Sequence, residues 1–124
     1  MTALLVLLGG AVGAPSRWFV DGFVRTKHDT PFPWGTFVIN ATGSFVLGVV
    51  LGSAAAGGAS HTAVVLIGTG FCGAFTTFST FGFETVRLAE ERDYGRAVLY
   101  VALSLGVGLL LAVAGWALGH GALA

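Results

Sequence analysis

Residues 70 to 84 read Gly-Phe-Cys-Gly-Ala-Phe-Thr-Thr-Phe-Ser-Thr-Phe-Gly-Phe-Glu. That run is too rich in hydroxyls and glycine for a helix that merely faces lipid, and no charge precedes Glu84 back to Asp29. Gly73 followed by Thr76 and Thr77 predicts a break in the helix, and a broken helix is tolerated in a membrane only where its freed carbonyls are buried in protein or bind something. A cation is the natural partner for such oxygens. Phe78 and Phe81, with Ser79 and Thr80 between them, share one helical face. Two aromatics at that spacing pack a core in most helices. Their ring edges carry positive potential and can also face a small anion in a site with few waters.

Other polar residues recur every four positions. Asn40, Ser44, Gly48 and Gly52 place an amide and a small-residue seam on one face, and Tyr100, Ser104 and Gly108 do the same with hydroxyls. An amide at mid-span marks either an interhelical contact or a wet pathway, and hydroxyls there either bond back to their own carbonyls or offer donors. Gly9 with Gly13 and Gly115 with Gly119 are further packing pairs. Arg17 and Asp21 are spaced for an i,i+4 ion pair; Arg17 also supplies positive potential suited to an anion entrance. Cys72 has no second cysteine to pair with, and His28, His61 and His120 lack metal-ligand spacing.

The elements that hold these residues follow from composition. Of 124 residues 55% are hydrophobic and only 10% charged, against roughly 25% charged in soluble domains. Six basic and six acidic residues cancel, which leaves no basic excess for nucleic acid. The charges are absent from residues 1 to 16, from 30 to 83 and beyond Arg96, gaps long enough for crossings of about 20 residues each. Four spans are expected, at about 3–23, 35–56, 62–88 and 95–119. The first is not read as a signal peptide, because no Lys or Arg precedes it. The chain is therefore expected to be an all-α integral membrane protein, a single four-helix domain over residues 1–124 whose third helix is broken mid-membrane. No phosphate-binding glycine loop, catalytic triad or metal cluster points to an enzyme.

Four stretches resemble the Fluc (CrcB) fluoride channel family in order: residues 9–17, 35–45 and 70–81, then Glu84. The resemblance covers the whole chain. It implies a cell-membrane channel of two four-helix subunits packed antiparallel, with two narrow pores that pass fluoride passively out of the cytoplasm and relieve its toxicity. By the same resemblance Phe78, Phe81 and Asn40 meet the ion, and Ser79, Thr80, Tyr100 and Ser104 form a polar track. Gly73 and Thr76 would hold a structural, untransported sodium ion through backbone carbonyls. Arg17 matches a membrane arginine and Glu84 an acid near the pore end. Gly108 falls where some members carry another hydroxyl, so this pore is expected to lack one donor.

Arg25, Lys27, Arg87, Arg92 and Arg96 all fall on one side of a four-span chain, and the positive-inside rule then puts both termini outward. A homodimer of antiparallel copies needs a chain that inserts both ways, so this bias favours a heterodimer with a second family member of opposite topology. Two rival readings are a four-helix drug/proton antiporter, which would need a buried carboxylate where span one offers only Asp21, and a membrane assembly protein without transport.

Overall fold

The computed structural model describes residues 2–27, 32–76 and 78–122, with the side chains of Arg25 and Ser79 excepted. His28 and Thr77 lie outside the described residues. The elements in order are α1 (Thr2–Lys27), α2 (Trp34–Ala55), the single turn α3 (His61–Ala63), a π-helical segment (Val64–Cys72), the short α4 (Gly73–Phe75), α5 (Phe78–Glu90) and α6 (Tyr94–Ala122). From α3 to α5 the chain forms one span, His61–Glu90, beside Thr2–Val24, Trp34–Ala55 and Tyr94–Ala122; all four are long and apolar enough to cross a membrane. Each lies within a few residues of the span expected from the charge gaps.

Local chemistry sets the ends. Past α2, the Gly58 and Gly57 amides donate to the Ser53 and Ala54 carbonyls at 2.8 and 3.1 Å, and Gly57 takes the left-handed φ of 87° that this closure requires. Past α5 the same closure is made by Asp93 to Leu88 and Arg92 to Ala89, with Arg92 at φ 60°, an unfavourable conformation for a residue with a Cβ. Ser60 caps α3 by accepting from the Ala63 amide. Asp93 starts α6 and accepts from the Arg96 amide and guanidinium, which holds its carboxyl below the usual range.

Two close pairings build the bundle. The α2–α6 contact is the most extensive: a Cβ at Gly48 or Gly52 would collide with the carbonyl of Ala112 or Trp116, and one at Gly115 or Gly119 with that of Phe45 or Val49. Glycine is what lets the two backbones touch. The second pairing sets Gly9 and Gly13 of α1 against the Leu66 and Phe71 carbonyls of the π-helical segment. The outer faces stay apolar, with Leu110 71% and Trp18 79% exposed, as a lipid-facing surface requires. Where α2 begins, α5 ends and α6 begins, Phe32, Leu88, Ala97 and Tyr100 form a buried cluster flanked by Trp34, Phe37, Phe81 and Leu103.

The expected Arg17–Asp21 pair does not form among the described residues. The Asp21 carboxylate lies instead against Gly35 in the first turn of α2, where free backbone N–H groups and the positive helix end attract it. A Cβ at Gly22, by contrast, meets nothing within 4 Å. Gly48→Ala is therefore expected to cost about 1–3 kcal/mol through backbone overlap, whereas Gly22→Ala gains up to about 1 kcal/mol in helix propensity. Thermal unfolding of both variants in one detergent checks the opposite signs.

Candidate functional site

The third span changes character at its centre. After the π-helical segment, a geometry that is rare and concentrated at functional sites, Gly73 is still helical at φ −61° and ψ −38°. The chain leaves the helix at Thr76, whose ψ of 160° is extended. The break thus falls at Thr76, one of the residues whose run predicts it. The Thr76 amide still donates to the Cys72 carbonyl at 2.9 Å, as a helical residue does, and its Oγ1 adds a second bond to the same oxygen at 2.7 Å, so the turn is closed up to Thr76 before its backbone becomes extended. Among the described residues, no backbone bond to the Gly73, Ala74 or Phe75 carbonyl crosses the break.

Beside the break lies a cleft of about 490 Å³. Asn40, Gly43 and Ser44 of α2 form one wall, Thr69, Gly73 and Thr76 a second, Phe78 and Phe81 of α5 a third, and Ser104 of α6 closes it. No charged side chain lines it. Gly43 is where α2 makes room for the break, since a Cβ there would collide with the Thr76 methyl and lie 3.5 Å from the Phe75 ring. The Ser104 hydroxyl is buried and, among the described residues, has no hydrogen-bond partner.

The two phenylalanines are placed differently. Phe78 is 83% exposed and Phe81 half-buried, with ring centroids 6.0 Å apart. Phe81 also packs on the ring of Tyr100 at 5.0 Å. Tyr100 is fully buried behind it, outside the cleft wall, and its hydroxyl donates to Glu84 Oε1 at 3.4 Å. Glu84 is thereby tied to the aromatic cluster. Thr80 is half-buried and is not part of the cleft wall; the Ser79 side chain lies outside the described residues. Arg17 is half-buried on α1, away from the cleft. Thr69 was missed by sequence reasoning, because nothing in its apolar surroundings signals the π-helical turn that exposes it.

Among the described residues no group of three or more His, Cys, Asp or Glu could hold a metal ion. The oxygen ligands on offer near the break are backbone carbonyls, whose hard oxygens are of the kind that suits a monovalent cation. Gly73 is exposed, with nothing within 4 Å of its Cβ direction.

Fold and site together define a multi-pass helical membrane protein with an uncharged, polar-lined cleft beside a mid-span break. Residues 4–116 match the family described as CrcB-like protein, Camphor Resistance (CrcB), and the chain belongs to that family. It is 50% identical over 115 residues to "Fluoride-specific ion channel FluC 1" of Streptomyces avermitilis, covering 93% of each chain. It is 54% identical over 96 residues to the protein of the same name from Frankia casuarinae, covering 73% of this chain and 74% of that one. With "Fluoride-specific ion channel FluC" of Acidobacterium capsulatum it shares 44% identity over 121 residues, 97% of each.

Gly43→Ala tests the fit at the break. Thr76 is held by its bond to Cys72 and cannot turn its methyl away freely, so the added Cβ is expected to destabilise the fold by about 1–3 kcal/mol. Thermal unfolding in detergent, beside the Gly22→Ala control, reads the loss.

Proposed function

We propose that this chain is a subunit of a fluoride-selective channel of the cell membrane that lets fluoride leave the cytoplasm passively. The observation that carries this reading is the cleft itself: an amide, hydroxyls and two phenyl rings at mid-membrane depth with no formal charge among them. Fluoride is small and strongly hydrated, so a pore that strips its water has to offer replacement donors while staying narrow. Asn40 and Ser104 are such donors, and the edges of Phe78 and Phe81 supply positive potential without a cation that would trap the ion. Fluoride that enters as neutral HF ionises in the cytoplasm, and a passive conductor is enough to release it. The names of the relatives support the same ion.

The complete pore is proposed to need a second subunit, packed antiparallel, with two pores per dimer. Support comes from Phe78 and Gly73, which are exposed beside the cleft at mid-span, where a partner subunit would cover them. Gly73 and Thr76 are the proposed carbonyl ligands of a central sodium ion, with an equal share from the partner. Bound there, the ion would supply fixed positive charge that holds the two breaks together. Ser79, Thr80 and Tyr100 are proposed to extend the donor track, and Arg17 and Glu84 to set the potential near its ends. Lipid contacts the apolar outer faces.

In liposomes loaded with potassium fluoride, valinomycin is expected to trigger fluoride release and no chloride release. Phe81→Ile and Asn40→Asp are each expected to lower that flux at least tenfold, a barrier rise of about 1.4 kcal/mol or more, with assembly intact. Aspartate replaces a donor with an acceptor and adds repulsion. Wild-type flux in either variant removes that residue from the pore.

The partner is proposed to be a second family member of opposite topology, because Arg25, Lys27, Arg87, Arg92 and Arg96, at or near the span ends, gather on one side of the membrane. Accessibility of an N-terminal tag in intact cells is expected to be one-sided, from outside. Equal labelling from both sides would point to a homodimer.

A further inference from the structure

We infer that Ser44 of α2 is an ion-lining donor that occupies the place left open by Gly108 of α6, an inference that rests on the fluoride reading above. The α2–α6 contact runs in steady steps of four: Gly52 meets Trp116, Gly48 meets Ala112, and one turn earlier the Cβ direction of Gly108 meets Ser44. The two helices run parallel in this register. Continuing it one further turn pairs Asn40 with Ser104, and both line the cleft. At the Ser44–Gly108 rung the glycine contributes no side chain. A Cβ built there lies 3.7 Å from Ser44 Oγ, an ordinary contact, and from no other heavy atom within 4 Å. The serine hydroxyl is therefore the group that fills the side-chain space on the α6 side of this rung, and it does so as part of the cleft wall.

Several hydroxyls elsewhere in the bundle are spent on their own helices. Ser16, Thr42, Thr76 and Thr85 each donate to the carbonyl four residues back, at 2.7–2.8 Å. Ser104 does not: its oxygen is buried without a partner among the described residues. No back-bond from Ser44 is found among them either. Hydroxyls kept off their own carbonyls in a low-dielectric cleft are costly unless something arrives to accept from them. Asn40, Ser44 and Ser104 then form a three-donor cluster at the α2–α6 seam, beside the Phe81 ring. The donor expected to be missing at Gly108 is present on α2, at the same rung.

The experiment moves the hydroxyl between the two helices. Wild type, Ser44→Ala, and Ser44→Ala combined with Gly108→Ser or with Gly108→Ala are purified, checked for equal oligomeric size, and assayed for valinomycin-triggered fluoride release from liposomes. Ser44→Ala is expected to slow release about tenfold, as loss of a hydrogen-bond donor to an anion implies. Adding Gly108→Ser is expected to restore most of it, and adding Gly108→Ala, which supplies the Cβ without the hydroxyl, to restore none. Should Ser44→Ala not assemble, the near-isosteric Ser44→Cys takes its place with the same expected loss. Wild-type flux in the Ser44 variant of an active channel overturns the inference, as does equal rescue by alanine and serine at 108, or no rescue by serine. A wild-type chain that releases no fluoride, alone or with a second family member, overturns the fluoride reading and this inference with it.

Discussion

Gly48 and Gly52 on α2, with Gly115 and Gly119 on α6, let two helices meet backbone to backbone, and the spacing of the cleft follows from that contact. In lipid there is little hydrophobic force to press helices together, so the contact depends on surface that fits closely. The same faces, continued one and two turns toward the break, carry Ser44, Asn40 and Ser104. A side chain added to the seam would spread the helices and carry the donors apart with them. Packing residues and ion-facing residues thus occupy one stripe and divide it by depth.

The break at Thr76 is the second organising feature. Inside a membrane, backbone groups have no water to fall back on, and a helix that stops at mid-depth must dispose of its last carbonyls. Thr76 returns its own amide and hydroxyl to Cys72, which closes the turn up to the point where the backbone becomes extended. Gly43 on the neighbouring helix is the space into which the threonine methyl fits. Behind Phe81, the link from Tyr100 to Glu84 fastens α6 to α5 and fixes the ring from its rear.

Much of this was legible in the residues. Charge-free gaps located all four spans to within a few positions, because burying charge in hydrocarbon is costly enough to leave a plain mark. The recurrence of glycine every four residues pointed to the faces that pack, and Phe78, Phe81 and Asn40 were singled out before their meeting at one cleft was visible. What stayed hidden depended on long-range geometry. Arg17 and Asp21 have ideal spacing, yet Asp21 turns to the start of α2, a neighbour that spacing along one helix does not reveal. Tyr100 lies in line with Ser104 but behind Phe81, since the fully buried aromatic cluster claims its ring. The exit from the helix, by contrast, lies at Thr76, among the residues that mark it in the sequence.

The π-helical segment from Val64 to Cys72 has a consequence for angular register. A ladder closed at i to i+5 takes one more residue into each ring than the α-helix, so side chains within the segment are turned about its axis relative to a regular helix. A residue in an α-helix is worth about 100° of rotation. Gly68, Thr69 and Cys72 all come from this segment and all line the cleft. The wound-out turn therefore acts as an aiming device for an otherwise apolar stretch. A single deletion before Thr69 would rotate its hydroxyl off the wall while leaving the donors of α2 and α6 in place.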